Sequence, residues 1–363
     1  MDGSKYARVL GDGIVGLTTA QILMRGGWQV SVETSANRAS RPIVLQEQTW
    51  LLLNDIWECD VSMLCPSQRI LGRRTDWSDD QSAQYNTIAG LSLDSASLAA
   101  ALEAKLLATD SSDVDPYAAV FDARGFTPDG ETRRTFGERL MYVWPHLNIG
   151  DLPNDLLEIA AGDGFWLIVV PIQAGHVSLQ LALPADEIDY CRTLNKLLKQ
   201  PKGPSLQTER LKHLFEQCLV VSPLKVPIGP GINLRPALRR HHAIGGNSMN
   251  YDPICGDGTG QGIKSAILAI AVENSVPTID YQLTSRHVRK RQIDTFKAHL
   301  QQCEAYYQLI RGSAHWRLEA LESKNGVDFL NALKVPAEVS LTLSLNPPPQ
   351  VCRWSYGPRL VMN

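Results

Sequence analysis

No charge of one sign dominates this chain. A net charge of −3 over 363 residues leaves no basic surface to suggest nucleic acid or an anionic membrane as a partner. Long apolar runs are missing too: the longest, around Phe165 to Ile172, falls far short of a bilayer crossing. The seven cysteines, at 59, 65, 191, 218, 255, 303 and 352, form no C-x-x-C pair. An odd, scattered set suits buried thiols in a reducing compartment better than a disulfide framework. The first strand begins within a few residues of Met1, leaving no space for a signal peptide, so a cytoplasmic protein is expected. No His/Cys group has metal-ligand spacing along the chain, no G-x-S-x-G elbow is present, and no segment repeats.

What is present is organised around Tyr6 to Glu33. Tyr6-Ala7-Arg8-Val9-Leu10 reads as a buried strand, Gly11-Asp12-Gly13-Ile14-Val15-Gly16 follows as G-x-G-x-x-G, and Leu17 to Met24 continues as a helix with one apolar side. Gly26-Gly27 ends the helix, and Trp28 to Val32 is a second strand with Glu33 at its end. This is a dinucleotide-binding βαβ unit. Gly11 permits the tight turn, Gly13 lets the backbone approach a pyrophosphate, and Gly16 lets helix and strand pack closely. Ile14, Val15 and Gly16 present the free N–H groups of a helix N-terminus. Glu33, followed by Thr34, can accept from ribose hydroxyls, and an acid at that place disfavours a 2′-phosphate.

The length predicts two domains, and 44% apolar residues suffice for a large core. Arg41-Pro42 introduces Ile43 to Trp57, read as a mostly buried helix, and Arg41 is either a pyrophosphate contact or a surface residue. Strands and loops are expected over Ser67 to Thr87, and a helix over Leu91 to Leu107 with Asp94 or Ser95 at its N-cap. Tyr117 to Phe121 reads as a strand ending in Asp122-Ala123-Arg124-Gly125, where Gly125 would turn the chain beside a ligand. Arg139 to Trp144, Phe165 to Pro171 and His176 to Leu183 read as strands, and Tyr190 to Lys199 and Glu209 to Val220 as helices. After His241-His242 the chain enters Gly245-Gly246 and a glycine-rich loop from Asn247 to Gly262, then a helix over Ile263 to Val272. Thr284 to Leu333 reads as mostly helical, with Arg286, Arg289, Lys290 and Arg291 on a solvated face, and the tail after Asn346, with Pro347-Pro348-Pro349, as an irregular strap.

Three separated stretches together resemble one superfamily: Gly11-x-Gly13-x-x-Gly16 with Glu33; Asp122-Ala123-Arg124-Gly125; and Asp252-Pro253-x-x-Gly256-x-Gly258 before a helix. Their order and spacing are similar to those of FAD-dependent aromatic hydroxylases and flavin-dependent halogenases with the p-hydroxybenzoate hydroxylase fold, over residues 6 to 275. Arg41 before Val44-Leu45 looks like that family's phosphate-contacting arginine. Within the superfamily the chain most resembles the flavoproteins that mature cysteine-tryptophylquinone amino-acid oxidases such as lysine or glycine oxidase.

The resemblance implies an α/β fold: a Rossmann-like FAD-binding domain with an inserted antiparallel β-sheet substrate domain and a helical C-terminal region. The expected boundaries are 1–62, 88–138 and 225–283 for the FAD domain, 63–87 and 139–224 for the sheet domain, and 284–363 for the helical region and tail. It further implies that the loop from Asp252 to Gly258 faces the flavin. NAD(P)H would be the external reductant, and a reduced-flavin hydroperoxide would hydroxylate a tryptophan of a partner oxidase precursor. Neither nucleic acid nor membrane is expected as a partner. The alternatives are a monooxygenase or halogenase of a small aromatic metabolite and a non-catalytic flavin-binding partner protein. Two departures stand out. Gly246 replaces the Asp that normally holds the ribitol, with Asn247 as a possible substitute, and the W-x-W-x-I-P motif and catalytic Lys of halogenases are missing.

No catalytic residue is singled out. His146, His176, His241 and His242 are candidates for proton transfer or satisfied structural histidines, Trp144 and Trp166 are pocket or core residues, and Cys255 is a redox-active or a packed thiol.

Overall fold

The computed structural model describes residues 5–34, 38, 40–77, 83–106, 118–125, 132–150, 155–187, 189–199, 209–235, 238–275, 280–310, 313–333, 341–344 and 359–362. The chain opens with β1 (Lys5–Leu10), α1 (Ile14–Arg25) and β2 (Trp28–Glu33), β1 and β2 pairing in parallel with Leu10 opposite Glu33. Next come β3 (Pro42–Gln46) and α2 (Glu47–Trp57), where a single helix was expected. The β-branched pair Ile43-Val44 extends the chain instead, and β3 pairs with a later strand before Gln46, at φ −63° and ψ 153°, hands over to the helix.

β4 (Ser67–Asp76), β5 (Gln84–Asp94) and α3 (Ser95–Lys105) follow. Leu91 to Asp94 belong to β5 rather than to the helix, with Leu91 and Leu93 buried, and Asp94 caps α3 by accepting from the Ser97 N–H at 2.8 Å. Then come β6 (Ala119–Asp122), β7 (Arg133–Thr135), β8 (Arg139–Asn148), β9 (Leu156–Gly162), β10 (Phe165–Gln173), β11 (His176–Pro184), α4 (Tyr190–Lys199), α5 (Glu209–Val220), β12 (Leu224–Ile228), β13 (Gly231–Asn233), β14 (His241–Ala243) and β15 (Met249–Asn250). The chain continues through α6 (Gly258–Ser275), α7 (Tyr281–Leu309) and α8 (Ala314–Ala332) to the pair β16 (Leu341–Ser344) and β17 (Arg359–Met362). The tail from 345 to 358, including the proline run, lies outside the described residues.

Two large sheets result. A four-stranded parallel sheet runs β14-β6-β1-β2, and an eight-stranded, mainly antiparallel sheet runs β12-β8-β11-β10-β9-β4-β5-β3. The parallel sheet buries its apolar residues against α1, α2, α3 and α6, for example Val9, Leu17, Leu53, Leu102 and Ile263. The larger sheet is apolar on both faces. On one face Tyr142, Trp144, Leu167 and Leu179 pack with Leu194 of α4 and Leu214 of α5. On the other face Met141, Val143, Ile168 and Val170 share a core with Cys303 and Tyr307 of α7 and Trp316 of α8. The alternation within each strand decides which residues go where.

Two further expectations are corrected. The glycine-rich stretch does not stay a loop up to Gly262, because α6 already begins at Gly258. Its glycines are close-packing sites: a Cβ on Gly262 would press on the Val15 side chain at 2.7 Å, and one on Gly260 would strike Thr49 Oγ1. Arg289 is not solvated. It is half-buried and donates to the carbonyls of Asn233 (3.1 Å) and Leu234 (3.4 Å), and this burial lowers its pKa from the usual arginine value.

Candidate functional site

The carboxyl ends of β1, β2 and β6 converge on the first glycine loop. The Gly11 N–H donates to the Glu33 carbonyl at 3.1 Å, and the Ala123 N–H donates to the Leu10 carbonyl at 2.8 Å. Gly11 has φ +102°, which an L side chain rarely adopts, and the Ala123 and Arg124 backbone lies just above it. Gly16 has no space at all: a Cβ there would overlap the Gly11 carbonyl oxygen. Gly13 differs from both. It caps α1 in an extended conformation (φ −73°, ψ 175°), and among the described residues no side chain caps the helix and nothing lies within 4 Å of a Cβ placed on it. The first turn of α1, with Ile14 and Val15, thus has open space before its free N–H groups.

The remaining early candidates lie around this loop. Glu33 is half exposed and ion-paired with Arg8 at 2.7 Å, and Thr34 is exposed directly after it. Asp12, between the glycines, is buried and paired with Arg38 at 2.8 Å, and Arg38 also reaches Glu103 at 2.8 Å. Asp122 accepts from the Arg124 backbone N–H (3.2 Å), Nε (3.0 Å) and Nη2 (2.8 Å). Burial alone would raise the Asp122 pKa, but these hydrogen bonds outweigh it and hold the carboxyl below its usual range. Gly125 has φ +70° and, among the described residues, nothing within 4 Å of a Cβ.

A cavity of about 810 Å³ opens beside this loop and extends to the large sheet. It brings Val15, Arg41, Gly246, Asp252, Pro253, Gly256 and Gly258 together. Its far wall is formed by pairs two residues apart on three strands: Met141 and Val143, Leu157 and Ile159, Ile168 and Val170. Gln180 of β11 stands among them, opposite Ile168 and Val143 in register, and donates to the Pro42 carbonyl at 3.1 Å. Arg73 of β4, opposite Leu157, also lines the cavity, and its buried Nε has no partner among the described residues. Sequence reasoning missed both. The signal for Gln180 was present, because Ser178 and Gln180 break the apolar character of one face of β11.

Two candidates have other work. The Asp252 carboxylate is fully buried and accepts from Arg139 Nη2, from the Tyr307 hydroxyl at 2.6 Å and from the Ile254 N–H at 3.0 Å. Arg139 also pairs with Glu319 of α8, so this ionic cluster ties β8, the Asp252 loop, α7 and α8 together. Asn247 is buried, donates to the Asp122 carbonyl at 3.3 Å and accepts from Arg133, so its amide is turned away from the cavity. Gly245 has φ +56° and packs on Val15.

Among the described residues no histidine lines the cavity. His146 is exposed, His176 ends a hairpin beside the Ala174 carbonyl, and buried His242 pairs with Glu273 at 2.6 Å. His241 has its pKa lowered by burial. Trp144 and Trp166 are core residues. Cys255 does line the cavity, and its sulfur lies 3.7 Å from that of Cys303. No helix among the described residues is long and apolar enough to cross a membrane.

Compared by sequence, the chain matches no protein-family model and no curated protein. Compared by structure, it is similar to the peptidyl tryptophan dihydroxylase QhpG, essential for tryptophylquinone cofactor biogenesis. The identity is 15%, the TM-score 0.70, and the match covers 99% of this chain and 86% of that one. It is similar to the flavin-dependent halogenase CmlS at 13% identity and TM-score 0.66, covering 90% of this chain and 70% of that one. It is also similar to pqsL, a probable FAD-dependent monooxygenase from Pseudomonas aeruginosa, at 15% identity and TM-score 0.64, covering 91% of this chain and 100% of that one. The chain therefore has the fold expected from its glycine and Asp-Pro motifs, that of FAD-dependent monooxygenases and flavin-dependent halogenases.

Proposed function

We propose that this chain is an FAD-dependent oxygenase that hydroxylates a tryptophan side chain of a partner amino-acid oxidase precursor during formation of its cysteine tryptophylquinone. The observation that carries this reading is the uncapped N-terminus of α1, with open space over Gly13, beside a cavity whose far wall is an apolar sheet face. The likeness to QhpG over 99% of this chain supports the choice of a protein-borne tryptophan.

The residues present fit FAD. The N–H groups following Gly11 and Gly13 suit a pyrophosphate. Glu33 and Thr34 suit the adenosine ribose, with Arg8 exchanging its ion pair with Glu33 for solvent. Arg41 faces the cavity as a phosphate contact, and Pro253 to Gly256 with Gly258 line it where the ring system belongs. Gly246 leaves the ribitol without its usual carboxylate, and Asn247 does not supply one. The group's chemistry, once bound, is O₂ activation after two-electron reduction by external NAD(P)H. The chain's own task is to exclude water from the wall formed by Met141, Val143, Ile159 and Ile168 and to offer Gln180 as the polar group that orients an indole N–H or hydroxyl. Six free thiols among the described residues suit work in a reducing cytoplasm.

A second reading, a small aromatic acid as substrate, is favoured by one observation. Arg73 places a guanidinium with an unpartnered buried Nε in the cavity wall, where a carboxylate would satisfy it.

The test is the absorption spectrum of the purified protein with FAD titrated in, followed by incubation with a precursor oxidase, NAD(P)H and air. Shifted flavin bands, bleaching by the reductant, rapid reoxidation and a mass gain of whole oxygen atoms on a precursor tryptophan are expected. No spectral change up to roughly millimolar FAD, equivalent to only about −4 kcal/mol, would reject flavin binding. Turnover stimulated by small aromatic acids and abolished by Arg73→Ala would select the second reading.

A further inference from the structure

The loop that carries Asp252 to Gly256 meets α7 through three side chains that the mechanism above does not use. Cys255 Sγ lies 3.7 Å from Cys303 Sγ. Cys303 Sγ in turn lies 3.5 Å from His299 Nε2, and all three ligand atoms fall within 4.8 Å of one another. His299 and Cys303 are four residues apart on α7, so they project from one face of the helix. Both are buried, whereas Cys255 is half-buried and reaches the cavity. Sequence spacing concealed the group because Cys255 lies on a different element from the other two.

Two of the three separations match tetrahedral coordination edges, and Cys255 Sγ lies within 4.8 Å of the His299 ring nitrogen. Metal–sulfur bonds of about 2.3 Å and metal–nitrogen bonds of about 2.0–2.1 Å at tetrahedral angles give S···S edges of about 3.8 Å and S···N edges of about 3.6 Å. The tautomer is also suitable. His299 Nε2 accepts the Asp252 backbone N–H at 2.9 Å, so the ring's proton belongs on Nδ1, and the Nε2 lone pair must leave that N–H to take a metal. Tyr251, edge-on at 4.8 Å, and Phe296, tilted at 5.9 Å, pack against the ring.

We propose that Cys255, His299 and Cys303 form a binding site for one thiophilic divalent cation of the zinc class, with the fourth position on the cavity side. The metal replaces the two thiol protons, which leave to solvent, and nothing is oxidised or reduced. Two thiolates balance the charge of the cation. The Asp252 N–H is the group that gives up its acceptor. The bound cation would fasten the Asp252–Gly256 loop to α7 beside the cavity.

The experiment uses the full chain, reduced, stripped with a chelator and free of flavin, so its outcome is independent of the flavin reading. Cobalt(II) alone is titrated in. The expected result is a near-ultraviolet thiolate-to-cobalt band that saturates at one equivalent, is displaced by zinc and is lost in Cys255→Ser and Cys303→Ser. Because Cys303 is fully buried and its substitution perturbs the core, a second measurement uses the unaltered protein. Zinc should protect Cys255, the thiol reachable from the cavity, from alkylation while leaving Cys59 and Cys65 unprotected, as read by peptide mass. The proposal is overturned by a missing band, by a band that survives Cys255→Ser, by equal labelling of Cys255 with and without zinc, or by a Cys255–Cys303 disulfide whose reduction restores no metal uptake.

Discussion

Gly13 and Gly16 stand three residues apart in one motif, yet they are glycines for different reasons, and substitution separates them. Gly16 is dictated by the fold, since any Cβ overlaps the Gly11 carbonyl oxygen. Gly16→Val should therefore cost about 3 kcal/mol or more of stability through forced backbone displacement. Gly13 has an extended backbone and empty space above it, so Gly13→Val should change stability by no more than about 1 kcal/mol. The valine methyls would then occupy the space before the α1 N–H groups, and FAD affinity should fall at least about tenfold, or about 1.4 kcal/mol. Urea denaturation and FAD titration on both variants check this. A Gly13→Val protein that binds FAD normally would remove the first glycine loop from the site. Both glycines were readable from sequence because their reasons are local. Asn247 was not, since its partners, the Asp122 carbonyl and Arg133, come from elements more than a hundred residues away.

Among elements, the Asp252 loop depends most on its neighbours. Arg139 of β8 is fully buried between Asp252 and Glu319 and lies over the Tyr307 ring at 4.8 Å. Burial alone would lower its pKa, but Asp252 first, with Tyr307 and Cys303, outweighs this and holds the guanidinium above its usual value. Arg139→Met would leave two buried carboxylates without a cation, so a loss of about 3–5 kcal/mol is expected in urea unfolding. The double variant Arg139→Met with Glu319→Gln should recover part of it. A single variant as stable as the parent would show that the cluster is not what joins the sheet to α7 and α8. Element boundaries were legible where a cap or a change of period marked them, as with Asp94 at the head of α3. They were not legible where a strand runs into a helix with no breaker, as from β3 into α2, or where glycines serve packing inside a helix, as at Gly260 and Gly262 of α6. In both cases tertiary contacts override what the residue types suggest locally.

At the scale of the whole molecule, acid should act in two separate steps, because its perturbed groups titrate in different ranges. His241, in the outer strand of the parallel sheet, and His315, at the start of α8, both have pKa values below their ordinary 6.5, in each case first because burial disfavours the charged ring. The unfolded chain therefore binds protons at these positions before the folded one does. Stability rises with pH wherever the unfolded state holds more protons, so it must fall as pH drops below 6.5 toward the folded pKa values. Asp122 obeys the carboxylate form of the same rule. Its pKa lies below the ordinary 3.8, so its contribution is intact above that value and disappears only as pH falls through the lower folded one. Thermal melts between about pH 8 and 3 should show a first decline beginning near the unperturbed histidine range and a second only in strong acid. His315→Gln should flatten the first decline and leave the second in place, since it removes a titrating ring on α8 without touching the Arg124–Asp122 fork at the end of β6. A melting temperature that stays level through the histidine range would mean that neither ring is held neutral by the fold, and that the acid response of this α/β framework is a carboxylate property alone.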